Sequence, residues 1–289
     1  MADNRARGFL TSGADSFGIV LGTNEIASAI AVRLCWGRFR IVMSHDPFPP
    51  VVRRGMAFHD ALYDDRAEVD GIVARRAETA MEIVEALAEQ GKVVVTRRQL
   101  TDIITLKSPA VLIDARMQKS RTIPDLRGLA RLTIGVGPKF AVHQNCDIAV
   151  ETHPASTGAL VENGETRLGD GVARILGGVG KERFVYSTCD GVWRTPLDVG
   201  ALVFRGFVLG YQDRIAVRAP MDGYLRGIAR DGVHAPKGVK LVEIDPRGRS
   251  ACWTGSDERG RRIAEAVVAA IEKAPTRRGA LRPQLSKLH

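Results

Sequence analysis

The sequence predicts an α/β protein: a Rossmann-like, mostly parallel sheet, then a small duplicated β barrel-sandwich module and a C-terminal helix. Three observations carry this. Short apolar runs alternate with helix-like segments in the front half, as βαβ units do. Two stretches thirty-two residues apart, beginning near Val185 and Val217, repeat one another. Residues 257–274 show the spacing of an amphipathic helix.

Taken in order, "FGIVLG" (17–22) reads as a buried strand ending in glycine, and "NEIASAIAVRLCW" (24–36) as a helix. "FRIVMSHD" (39–46) reads as the second strand. "ARRAETAMEIVEALAEQG" (74–91) reads as an amphipathic helix closed by glycine. "KVVVT", "AVLIDA", "RLTIGVG" and "CDIAVET" follow as short strands of a sheet covered on both faces. In "GALVENGETRL" (158–168), Asn163-Gly164 between alternating segments predicts a hairpin. The reading divides the chain into an N-terminal arm (1–16), a Rossmann-like domain (17–175), a β-module (184–248), a helix (257–274) and a disordered basic tail (275–289).

The repeat aligns without a gap. Asp190-Gly191 falls on Asp222-Gly223, Arg194 on Arg226, Gly200 on Gly232, Gly206 on Gly238, and Asp213 on Asp245. Glycine at three equivalent places means the same bends recur. Neither half is large enough to bury a two-sided core alone, so the two are expected to close over each other. The pattern resembles lipoyl and biotinyl carrier domains. Their junction presents a modifiable lysine, whereas Gly210–Arg214 contains none. A structural or docking role is expected instead.

Composition narrows the function classes. The chain has 289 residues, 45% hydrophobic and 26% charged, the profile of a globular protein. No apolar run is long enough for a membrane helix, so no membrane partner is expected. Four cysteines without a CxxC point to a cytoplasmic protein. The net charge is +9, and Arg277, Arg278, Arg282 and Lys287 concentrate part of it in the acid-free tail. No nucleic-acid-binding motif accompanies it, and a nucleic-acid partner is not expected. His143, Cys146 and His153 match no compact zinc spacing, and there is no G-x-S-x-G or P-loop lysine.

Candidate binding residues cluster at predicted strand ends. "VLGTNEIASAIA" stands where a dinucleotide fingerprint belongs, but offers Gly22, Asn24 and Ala27 in place of three glycines. A helix N-terminus there still attracts an anion. Asp46 ends the second strand at the place of a ribose-binding acid, and Asp114 ends another, with Arg116 and Lys119 beyond it. "TIGVGPKF" adds Gly135, Gly137 and Lys139, backbone amides plus a cation suited to phosphate or carboxylate. Each has a plainer alternative: a sheet that binds no nucleotide, a helix cap, a tight turn.

"GTNEIASAIAVRL", "DARMQK", "IGVGPKF…NCDIAVET", "GGVGKERFV", "RAPMDG" and "RDGVHAPKGVKLVEIDPRG" together resemble the selenium-dependent molybdenum hydroxylase accessory family, distantly akin to xanthine dehydrogenase accessory proteins. The resemblance runs in order from about residue 17 to 272. It implies a maturation role beside a partner enzyme that uses a molybdenum cofactor, and the strand-end residues Gly22, Asp46, Asp114, Lys119, Gly135 and Lys139 are then expected to hold a nucleotide or molybdopterin-type anionic ligand in the crevice. The departures are Thr23 and Asn24 in the first loop, Lys139 in place of a glycine, and His153-Pro154-Ala155-Ser156 in place of a polar N-R-G-H run. Two other readings stand beside it: a structural subunit or scaffold of a larger enzyme complex, and a pyridine-nucleotide oxidoreductase. No set of catalytic residues emerges.

Overall fold

The computed structural model describes residues 16–118 and 121–274. It divides into two compact units. The first comprises the described parts of Met1–Asp46, Ala57–Asp170 and Ser256–His289; the second comprises Pro47–Met56 and Gly171–Gly255. The segment 47–56, which the sequence reading placed in the first domain, thus belongs to the second unit. The predicted N-terminal arm, apart from Ser16, and the tail from 275 lie outside the described residues.

The first unit is a nine-stranded sheet in the order β3-β4-β5-β2-β1-β6-β7-β8-β9. Its strands are β1 (Phe17–Leu21), β2 (Arg40–Ser44), β3 (Arg66–Val69), β4 (Ile72–Arg76), β5 (Lys92–Thr96), β6 (Val111–Asp114), β7 (Leu132–Val136), β8 (Ile148–Val150) and β9 (Leu160–Val161). All neighbours run parallel except the edge strands β3 and β9. Every residue of β1 is buried, because both faces of the sheet are covered. Val20, Ile41, Met43, Val93 and Ile113 face α1 (Glu25–Trp36) and, across it, the C-terminal helix α5 (Glu258–Lys273). Ile19, Leu21, Val42, Val94 and Leu112 face Ile83, Leu87 and Ile103 on α3 (Ala80–Ala88) and α4 (Leu100–Ile104); the short α2 spans Ala61–Asp64. Alternate residues of each strand thus enter opposite cores. Burying one such side chain fully contributes roughly 1.5–3 kcal/mol.

Two expectations are corrected here. The predicted helix over 74–91 begins as strand β4, which forms a hairpin with β3 through Asp70-Gly71. The helix starts only at Thr79, whose side chain accepts from the Glu82 amide in a capping box. The hairpin predicted around Asn163-Gly164 does not form either. Its two arms find different partners: β9 pairs with β8, and Glu165 bridges Ala141. Gly164 still makes the turn, at φ +81°.

The second unit realises the repeat strand for strand. The first copy supplies β10 (Phe184–Tyr186), β11 (Gly191–Arg194), β12 (Leu202–Val203) and β13 (Val208–Gln212). The second supplies β14 (Ile215–Arg218), β15 (Gly223–Ile228), β16 (His234–Ala235) and β17 (Lys240–Asp245). The two sheets are β10-β17-β15-β12 and β14-β13-β11-β16. Exchanging the copies converts one sheet into the other, the mark of an internal pseudo-twofold. Equivalent glycines share their backbone angles: φ is +85° at Gly200 and +82° at Gly232, +84° at Gly206 and +83° at Gly238. Each copy also caps the other's turn. Asp222 accepts from the Arg205 amide at 2.7 Å, and Asp190 accepts from the Lys237 amide at 2.7 Å. The shared core holds Trp193, Leu209, Leu225, Leu241 and Ile244, with the Trp193 indole N–H donating to the Ala229 carbonyl at 3.1 Å.

Candidate functional site

In the first unit, β2 and β6 lie on either side of β1, so the chain changes direction across the sheet at β1. Ligands of open α/β sheets bind at the carboxyl ends of strands beside such a switch. Gly22, Ser44-His45-Asp46 and Asp114-Ala115-Arg116 stand at those ends.

The loop after β1 is latched to the loop after β6. Gly22 has φ +103°, and a side chain there would meet the Ala115 carbonyl oxygen and the Arg116 Cα at 3.1 Å. Asn24 donates through Nδ2 to the Ala115 carbonyl at 2.8 Å. Its Oδ1 accepts from the Ile26 and Ala27 amides at 2.9 and 3.0 Å. Those amides are the donors that a dinucleotide pyrophosphate uses. Here the helix caps itself, and the dinucleotide cradle does not fit.

Beside this latch lies a polar cluster. The Thr23 hydroxyl, 2% exposed, is 3.0 Å from His59 Nδ1 and 3.3 Å from His45 Nδ1. One hydroxyl has a single proton, so it donates to at most one of the two rings. If both contacts are hydrogen bonds, at least one imidazole carries its proton on Nδ1. Burial, reinforced by Arg97, pushes His45 below the usual histidine range against the opposing pull of Asp46 and Glu78. His45 is therefore neutral at pH 7. His59 sits on a short 3₁₀ turn, held where Phe58 donates its amide to the Ser28 hydroxyl at 2.9 Å. Tyr63 continues the cluster, its ring 5.6 Å from that of His59 and under the Arg97 guanidinium at 5.1 Å.

Asp114 is buried and grips Arg116 through both oxygens, Nε at 2.9 Å and Nη2 at 2.6 Å. The hydrogen bonds with Asp114 raise the Arg116 pKa above its ordinary value. This fork uses one edge of the guanidinium and leaves Nη1 for another acceptor. Asp46 accepts a hydrogen bond from the Gln118 carboxamide, drawing the β6 loop toward the β2 end. Lys119 lies outside the described residues.

The second glycine loop serves packing rather than an open cradle. A side chain at Gly135 would meet the Phe140 ring at 2.1 Å, and one at Gly137 the Met117 sulfur at 3.1 Å. Lys139 has φ +68°, and its carbonyl accepts from Asn145 Nδ2 in a turn that Asn145 also closes through the Ala141 amide. Cys146 is buried, which pushes its thiol up to about 12. Among the described residues no group of three His, Cys, Asp or Glu side chains gathers to hold a metal ion.

Of the residues singled out in the sequence, Gly22, Asn24, Asp46 and Asp114 thus come to the carboxyl edge around β1. Gly135 lies inside β7 beneath Phe140, and Gly137 and Lys139 go into the packed turn that follows. Thr23, His45, His59 and Gln118 were not recognised as site residues. A signal for two of them was present: the histidine-aspartate pair occurs after apolar runs at both "VMSHD" and "MAFHD".

The fold and site define a class: a Rossmann-like α/β unit whose first helix is capped by its own loop, joined in one chain to a pseudo-twofold β-sandwich. No known protein-family profile matches the chain. The uncharacterized protein YqeB of Escherichia coli (strain K12) is 28% identical over 254 residues, covering 88% of this chain and 47% of YqeB. The chain spans about half the length of that relative. Among solved structures, the product-bound ectoine utilization protein EutE (DoeB) of Ruegeria pomeroyi matches at 22% identity, 28% of this chain and 26% of EutE, with a TM-score of 0.21. Its apo form matches at 11% identity, 79% of this chain and 86% of EutE, with a TM-score of 0.23. Likeness at those scores bears on neither fold nor function. No helix among the described residues is long and apolar enough to cross a membrane.

Proposed function

We propose that this protein is an accessory or maturation factor for a molybdenum-cofactor-type enzyme system, holding a small nucleotide- or pterin-like anionic ligand at the carboxyl edge around β1. The reading takes its enzyme system from the family resemblance. The observation that supports a ligand there is Arg116, clamped on one edge by buried Asp114 with Nη1 left over. A guanidinium fixed in this way meets an oxyanion without first being ordered. Neutral His45, half-buried and oriented by the Thr23 hydroxyl, supplies a ring nitrogen for a heterocycle. The pyridine-nucleotide oxidoreductase reading is disfavoured, because Asn24 occupies the helix amides that the pyrophosphate needs.

Thermal unfolding with guanosine and cytidine monophosphates, molybdopterin dinucleotides and NADPH tests the reading. A ligand at a hundred times its Kd contributes about 2.7 kcal/mol. The expected result is a rise in Tm with a pterin-containing or simple nucleotide, lost in Arg116→Gln. No shift with any of these ligands, or an undiminished shift in the variant, overturns it. A shift with NADPH alone restores the oxidoreductase reading.

A further inference from the structure

The internal symmetry of the second unit gives a control for its own surface. Residues 204–207 form the turn between β12 and β13, and residues 236–239 form the equivalent turn between β16 and β17. The two are built alike. Phe207 donates its amide to the Phe204 carbonyl at 2.9 Å, and Val239 to the Pro236 carbonyl at 3.2 Å. Gly206 donates to Ala219, and Gly238 to Ser187, at 2.8 and 2.9 Å. One turn reads Phe-Arg-Gly-Phe and the other Pro-Lys-Gly-Val. The fold makes this bend without aromatic residues, so folding does not account for Phe204 and Phe207.

Both rings are displayed, Phe204 at 59% exposure and Phe207 at 49%, beside Leu202 at 53%. Clustered exposed apolar side chains of this size mark interaction surfaces. Their surroundings are basic. Arg205 lies between the two rings in sequence and is exposed, and Arg218 reaches the turn through Nη1 to the Gly206 carbonyl at 2.9 Å. Asp222 is the acid held at the turn, where its Oδ1 already accepts from the Arg205 amide. β12 is the edge strand of its sheet.

We propose that this turn and the β12 edge dock a partner protein whose surface carries an apolar pocket rimmed by aspartate and glutamate. Arg205 and Arg218 select for acidic groups around the pocket, and Phe204 and Phe207 fill it. A protein is favoured over an anionic lipid surface for two reasons. The rings project from a turn held by backbone and side-chain hydrogen bonds, a fixed spacing that suits a shaped pocket. The β12 edge also offers backbone groups that a strand of another polypeptide can pair. The inference rests on the accessory reading only in that such a factor has a client. Docking without any ligand-induced rise in Tm sinks the ligand and leaves the surface standing; a ligand shift without docking does the reverse.

The test replaces Phe204 with the photoreactive p-benzoylphenylalanine in the full chain, expressed in its own cells, with the same replacement at Pro236 as control. Irradiation is expected to join position 204, and not 236, to one other protein, through a peptide with carboxylates flanking apolar residues. Arg205→Glu with Arg218→Glu is expected to cut the adduct at least tenfold. In vitro, the purified partner is expected to bind the Phe207→Ser chain at least tenfold more weakly. Both variants alter exposed positions, and urea unfolding checks that their stability is retained. Adducts to lipid, adducts to a second copy of the chain, equal adducts at both positions, or none at 204 each overturn the proposal.

Discussion

The two copies of the β repeat share a backbone and differ in what they hold. Arg194 and Arg226 are equivalent, yet Arg194 is solvent-exposed and pairs with Asp231 at 3.3 Å, whereas Arg226 is buried beside Glu243 and Asp245. Where the second copy has Glu243, the first has Tyr211, half exposed. Where Ile228 donates its amide to the Val52 carbonyl at 2.8 Å, the first copy has Pro196, which has no N–H to give. Where Gly227 leaves room for the Val52 backbone, the first copy has Thr195. The second copy is therefore fitted to receive the segment 47–56, and the first is not. Duplication supplied two equivalent faces, and a few substitutions decided that one would be covered by the chain itself.

The covered face is built around buried charge. Arg53 binds Glu243 through Nε at 2.9 Å and Nη2 at 3.0 Å. Arg183 and Arg226 approach the same carboxylate at 3.6 and 3.5 Å, and Arg247 clamps Asp245. Arg183 also donates through Nη1 to the carbonyls of Arg174, Val179 and Gly180, pinning the glycine-rich link. The largest expected effect follows. Glu243→Ala removes the buried carboxylate that three guanidinium groups approach and is expected to cost about 3–5 kcal/mol. Tyr211→Ala, its exposed equivalent, is expected to cost under about 1 kcal/mol. Urea unfolding compares them, and similar losses would break the asymmetry.

Acid sharpens the same contrast. Burial pushes the Glu243 carboxyl up, but Arg53, Lys240 and Arg226 outweigh it and hold the group below the ordinary range. Its stabilising contribution is full above the unfolded value of about 4.3 and is lost as pH falls through the lower folded value. Between pH 5 and 2 the wild-type stability is expected to drop more steeply than that of Glu243→Gln. The difference is at most about 1.4 kcal/mol per pH unit, one proton's worth. Equal slopes would show that Glu243 does not carry the linkage.

Much of the fold was legible because it rests on periodic patterns. The apolar runs of β1, β2, β5 and β6 and the amphipathic α5 lie where alternation and helical spacing place them. The repeat was legible through its glycines, since left-handed angles leave few other choices. The hairpin β3–β4 was hidden because "ARRAET" continues smoothly into a helical pattern, and only the Thr79–Glu82 capping box separates them. The site was less legible for a physical reason. A strand-end glycine makes room either for a ligand or for the protein's own atoms, and the sequence does not distinguish Phe140 over Gly135 from an open cradle. Nor does it distinguish Arg194 from Arg226, because burial depends on segment 47–56, far away in sequence.

Two glycine positions test how far the copies remain interchangeable. Gly200 and Gly232 share a left-handed angle, so alanine at either place costs roughly 1–2 kcal/mol from the backbone alone. Their surroundings differ. A side chain at Gly232 would meet Arg194 Nη1 at 3.3 Å, the mobile end of an exposed side chain. One at Gly200 would meet the Trp253 indole at 2.6 Å, and that ring is stacked on Tyr224. Gly200→Ala is thus expected to lower Tm by clearly more than Gly232→Ala, and equal shifts would show that Trp253 yields without cost.

The smallest effects should be the symmetric ones, which makes them the strictest check on the pseudo-twofold. Asp190 and Asp222 each accept one amide hydrogen bond from the other copy's turn, at the same 2.7 Å. The donors, Arg205 and Lys237, are both exposed. With geometry and solvent alike, Asp190→Ala and Asp222→Ala are each expected to cost about 1 kcal/mol, equal within a few tenths. The double variant is expected to cost their sum, because the two caps share no partner. A cap on the covered copy that costs more than its twin would mean that the strap of residues 47–56 tightens turns it does not touch, and the two copies would then differ throughout rather than at a few positions.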